Sequence, residues 1–221
     1  MDFNTGSGSS GGSGSSSRGP GEPRRVSGGA SGGEFDYSDP VQSFINAVRG
    51  VVTAPVGFFR SIRRQGDFVN PLIFAIICYE VAAILGGLLS LVGVTGSRGF
   101  GSFLVSIIVA PIFAAIGLLI GAGILHLLVM LIVGSRNSGF EGTFRVSSYS
   151  SVTSLVSWIP VIGWIASLYG IYLAIMGIRE VHNTTTGKAA IVVLIPAVVV
   201  FLLVLLIVAA IGAAIFFGTQ Q

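Results

Sequence analysis

Residues 139–188 read GFEGTFRVSSYSSVTSLVSWIPVIGWIASLYGIYLAIMGIREVHNTTTGK, and the reading of this stretch decides the fold. It holds a polar entry, an apolar hairpin broken at Pro160 and a charged exit. The only two tryptophans of the chain, Trp158 and Trp164, flank its tip at residues 160–163. Indole rings favour the membrane–water boundary, where one side is apolar and the other wet. Arg136, Glu141 and Arg145 stand on the entry, and Arg179, Glu180, His182 and Lys188 on the exit. The pattern predicts a membrane hairpin whose turn meets one interface and whose ends return to the same basic side.

The rest of the composition agrees. Of 221 residues, 52% are hydrophobic and 10% charged, with a mean hydropathy of +0.88. A soluble domain carries about a quarter charged residues, so the chain reads as an integral membrane protein. Its net charge of +3 comes from basic residues beside the apolar runs, a bias that membrane topology explains without a nucleic-acid partner. The single cysteine, Cys78, lies inside an apolar run and offers neither a disulfide nor a cysteine-based zinc module. Residues 1–30 lack the charged start and apolar core of a secretory signal.

In chain order, residues 1–38 are Gly/Ser-rich, too poor in apolar side chains to offset the entropy of ordering, and read as a flexible tail carrying Arg18, Arg24 and Arg25. Asp39-Pro40 starts a basic amphipathic segment over residues 39–66, split at Pro55, with Arg60, Arg63 and Arg64 at its end. Such a helix pair either lies in the headgroup plane with its arginines near phosphate or packs its apolar face on the end of a bundle. Spans are expected at 71–94, 103–133, 145–160, 161–178 and 189–217. The third, as a helix, reaches only about 24 Å against a hydrocarbon core of about 30 Å, so its serines need a thinned bilayer or a protein shield. Gly117 and Gly121, joined by Gly123, predict a close helix approach inside the bundle.

Counting basic residues selects this arrangement. With five spans and the N-terminus inside, Arg49, Arg60, Arg63, Arg64, Arg136, Arg145, Arg179 and Lys188 lie inside, and Arg98 alone outside. The fold class expected is therefore an all-α integral membrane protein. Its domain at 71–217 is a bundle of about five transmembrane helices, preceded by a basic amphipathic interfacial helix pair.

Gly139-Phe140, Thr143-Phe144-Arg145, Tyr149-Ser150, Ile159-Pro160, Gly163, Tyr172, Gly177, Arg179-Glu180-x-His182 and Lys188-Ala189 together resemble the Yip family, the Ypt/Rab-GTPase-interacting membrane proteins. Thr53-Ala54-Pro55-x-x-Phe58-Phe59 is similar to the entry segment of its bacterial members. The resemblance covers about residues 40–217 and implies five spans with a cytosolic N-terminus, in a bacterial cytoplasmic membrane. Eukaryotic members carry a longer acidic N-terminal region with an Asp-Leu-Tyr-Gly-Pro-like motif. This chain has a Gly/Ser tail instead, a departure that leaves a GTPase partner doubtful.

Two groups of residues are candidates for function. Arg60, Arg63, Arg64, Arg179, Glu180, His182 and Lys188 form a contact face for membrane lipids, protein partners or a second copy, with Arg or Lys meeting phosphate. Glu80 and His126, about 14 and 10 Å deep, form a candidate intramembrane polar pair and support the alternative of a small transporter or channel. No nucleophile, base and oxyanion group converge, so no enzyme is expected. No cofactor is called for, and Glu180 and His182 stand too close together for a metal site.

Overall fold

The computed structural model describes residues 33–93 and 99–218. Arg18, Arg24 and Arg25 of the tail, Arg98 of the second loop and the last three residues lie outside that range. Within it the chain is helical, and its compact unit spans Ser31–Gln221. The helices are α1 (Pro40–Thr53), α2 (Pro55–Ser61), α3 (Val69–Leu91), α4 (Phe100–Ile132), α5 (Gly139–Ser150), α6 (Ile162–Val181) and α7 (Thr186–Gly218), with a 3-10 helix at Ser151–Val156 continuing α5. Helices α3, α4, α6 and α7 are long and apolar enough to cross a membrane.

The segment formed by α5 and the 3-10 helix is shorter and packs among them. Twelve α-helical residues and six 3-10 residues rise about 18 and 12 Å, but the first turns, with Glu141 and Arg145, belong to the charged end, which leaves about 21 Å from Arg145 onward. Helices α3, α4 and α6 surround it, and Ser148, Ser151 and Ser154 are buried against them. Protein covers these hydroxyls in part, and Ser151 and Ser154 also border a groove between the helices. The 3-10 geometry is tied by hydroxyls that donate to carbonyls three residues back, Ser151 to Ser148, Ser154 to Ser151 and Ser157 to Ser154.

At the hairpin tip, Val161 adopts φ 70°, costly for a β-branched residue. A Cβ on Gly163 would lie 2.5 Å from the Ser157 carbonyl oxygen, so only glycine fits there. Trp164 is 78% exposed at this end, as an interfacial ring should be. Trp158 turns its indole N–H to the Leu155 carbonyl.

Pro55 divides α1 from α2 as expected, and the pair folds back on itself along the side of the bundle. Phe58 sits edge-on to Tyr149, Tyr169 donates its hydroxyl to the Val52 carbonyl, and Arg60 meets Glu180. Ala47, Val51, Phe58, Phe59 and Ile62 are buried. The apolar face of the segment is thus packed on the bundle. Val41, Ile45 and Val52 remain exposed.

The small-residue contact lies elsewhere than expected. A Cβ on Gly117, Gly121 or Gly123 would meet nothing within 4 Å, whereas one on Gly142 would lie 2.7 Å from Val181 and one on Gly177 2.5 Å from Val146. The close approach is thus between α5 and α6. Gly117 and Gly121 instead line an open groove of about 730 Å³ with Ser150, Thr153, Ser154 and Gly170. Gly121→Ala is accordingly expected to change stability by less than about 1 kcal/mol, the helix-propensity gain of alanine meeting no clash; thermal unfolding in detergent measures it. Beyond the groove, α7 exposes its apolar side chains from Val198 to Phe216, the all-round lipid surface its composition predicts.

Candidate functional site

The charged residues gather at the end of the bundle opposite the tryptophans. Here α2 runs into the loop 62–68, α5 begins and α6 ends. Gly66 takes φ +108° in this loop, and Asn183 at φ 47° ends α6, a conformation asparagine tolerates.

Arg145 is the centre of this end. It is 1% exposed, and its guanidinium donates to Glu34 Oε1 at 2.8 Å, Glu141 Oε1 at 3.0 Å and the Asp67 carbonyl at 2.7 Å. Glu141 Oε1 also accepts the Asp67 N–H at 2.7 Å, so carboxylate and guanidinium together clamp the loop between α2 and α3. One buried cation thereby joins the N-terminal segment, that loop and α5. Burial pushes the Glu34 carboxyl above its ordinary range, opposed by Arg145 and by the Arg63 backbone.

A second polar chain lies beside it. The Ser138 N–H donates to His182 Nδ1 at 3.1 Å, which fixes the His182 proton on Nε2. That N–H then faces Thr143 Oγ1 at 3.0 Å, and the Thr143 hydroxyl is left to donate to His126 Nδ1 at 3.0 Å. His182 is 1% exposed, and burial, followed by His126 and Arg64, pushes its pKa down to about 4. The fold therefore holds the neutral ring. Above the ordinary value near 6.5 its burial costs nothing in protonation, and as pH falls from about 6.5 toward 4 the unfolded chain gains a proton the native site refuses. The melting temperature should fall through that window, and His182→Gln should flatten the slope; an unchanged slope contradicts the neutral ring.

On the surface, Arg60 Nε donates to Glu180 Oε2 at 3.0 Å and Arg179 Nε to Glu180 Oε1 at 2.8 Å. Arg64 reaches Asn183 Oδ1 at 3.1 Å. Arg60, Arg63, Arg64 and Lys188 are exposed. Six of the seven candidate contact residues thus share one charged end, and His182 departs because its ring is taken into the core by Ser138 and Thr143. Glu80 and His126 do not meet. Thr143 on α5 takes His126, and the Glu80 carboxylate oxygens have no hydrogen-bond partner among the described residues. In the sequence Arg145 stands out only as a topological charge and as part of the Thr143-Phe144-Arg145 step. Its signal was Glu141 four residues before it, an ion-pair spacing on one helix face in a stretch otherwise apolar or hydroxylic.

Four apolar helices of spanning length, a shorter segment packed among them and charge collected at one end define a multi-pass helical membrane protein. A family model described as the Yip1 domain matches residues 49–209, from within α1 to well into α7. The chain belongs to this family. No curated protein and no solved structure matches it.

Proposed function

We propose that the protein is a non-enzymatic membrane bundle of the Yip type whose charged end holds anionic lipid headgroups at the cytosolic face, N-terminus inside and C-terminus outside, and presents partner proteins to them. The observation that carries this reading is the gathering of Arg60, Arg63, Arg64, Arg179 and Lys188 at one end, with Arg60 still 69% exposed beside Glu180. A guanidinium holding one carboxylate bond keeps further donors for phosphate. Exposed Val41, Ile45 and Val52 on α1 supply apolar contact for lipid chains. Transport through Glu80 and His126 loses support because His126 is engaged by Thr143.

The test counts phosphatidylglycerol bound to the detergent-solubilised protein by native mass spectrometry. A basic side chain contributes about 1 kcal/mol at an anionic surface, so changing Arg60, Arg63 and Arg64 to Gln should weaken binding roughly tenfold or more. Unchanged binding overturns the reading.

A further inference from the structure

The chain immediately before α1 is not loose. Residues 33–38, read from sequence as the end of a flexible tail, carry no helix, yet the Glu34 side chain is 4% exposed and Phe35 2%. Glu34 holds Arg145, and the Arg63 backbone also reaches its carboxylate. Phe35 stands edge-on to Phe44 and tilted against Phe74, with centroids 6.4 and 6.2 Å away. The exit from this seat is equally defined. Ser43 Oγ donates to the Asp36 carbonyl and accepts the Asp36 N–H, each at 2.9 Å, and the Tyr37 N–H donates to Asn70 Oδ1 at 2.9 Å.

This is the geometry of an extended peptide read by a socket: one carboxylate for a buried arginine, one ring for an aromatic wall, and main-chain bonds on to side chains of α1 and α3. The peptide makes no bonds to a strand or a helix of its own. Arg145 keeps Glu141 and the Asp67 carbonyl when Glu34 leaves, so opening strands no lone cation. We propose that residues 34–38 are a tethered plug in a peptide-binding socket at the charged end of the bundle, and that a partner protein carrying an extended acidic–aromatic segment displaces the plug and takes its place. The socket is walled by Arg145, Phe44 and Phe74, none of which carries the lipid reading, and of the exposed arginines only Arg63 is named beside Glu34, through its backbone and its charge.

A tethered segment competes at a local concentration of about millimolar. Fluorescently labelled peptide GEFDYS, residues 33–38 of the chain, should therefore bind the full-length Phe35→Ala variant at least about tenfold more tightly than the wild type. The peptide GQADYS should bind neither. Equal affinity for wild type and variant, no binding to the variant, or equal binding of both peptides overturns the proposal. A second measurement needs no variant. In the wild type the Tyr37 amide should exchange hydrogen through local opening, faster than α5 amides around Arg145, and excess GEFDYS should accelerate it further. Protection of Tyr37 equal to that of α5, or insensitivity to the peptide, shows a fixed core element and overturns the plug.

Discussion

Replacing Arg145 by leucine is expected to destabilise the protein by about 3–5 kcal/mol, the range for removing one partner of a buried ion pair. The loss is large because Glu34 and Glu141 are left in a buried site with no guanidinium between them, and the Asp67 carbonyl loses a donor. Three segments separate at once: the N-terminal plug, the loop 62–68 and α5. Thermal unfolding in detergent, followed by helix circular dichroism, measures the effect. Arg145→Lys should recover only part of it, since one ammonium cannot span two carboxylates and a carbonyl as the guanidinium fork does. A melting temperature unchanged in Arg145→Leu would show that the network holds nothing together.

The second large effect is expected at Gly177. A Cβ there would lie 2.5 and 3.1 Å from the two methyl groups of Val146 and 3.2 Å from Phe59. Neither neighbour has room to withdraw, because Val146 is fully buried and Phe59 1% exposed. Gly177→Leu must therefore push α5 and α2 away from α6, at a cost near the upper end of overpacking, about 3 kcal/mol. The compensating double variant Gly177→Ala with Val146→Ala should be more stable than Gly177→Ala alone. Simple additivity of the two would place the contact elsewhere.

These residues also mark what the sequence discloses and what it hides. The apolar runs, the break at Pro55, the wide lipid face of α7 and the tryptophan-flanked tip follow from local pattern, and each is where the pattern places it. The shortness of the third segment is legible too, though its change from α to 3-10 geometry is not, because the two differ by a few hydroxyl bonds that composition does not specify. The small-residue contact was misplaced for a related reason. Gly117 and Gly121 have the helix-packing spacing, but spacing gives a stripe and not the helix that faces it; Gly142 and Gly177 lie on different helices and show no common period. Arg145 was hidden by distance along the chain, its partners Glu34 and Asp67 lying 111 and 78 residues away. The pairing of His126 failed for want of direction, since depth in a span does not say which side of the helix a ring leaves. Residues 33–38 look like tail by composition, and only the socket beneath them tells otherwise.

The account rests on the charged end lying on one side of the membrane and the tryptophan tip on the other. Along α6, the step from Trp164 to Val181 rises about 26 Å, close to the thickness of the hydrocarbon. Cys78, the sole native cysteine, is buried and reacts poorly from either side. Single cysteines placed at Trp164 and at Lys188, both exposed, can therefore be treated in intact cells with a membrane-impermeant maleimide. The account predicts that Trp164→Cys labels at once and Lys188→Cys only after the membrane is permeabilised; labelling of Lys188→Cys in intact cells would contradict it.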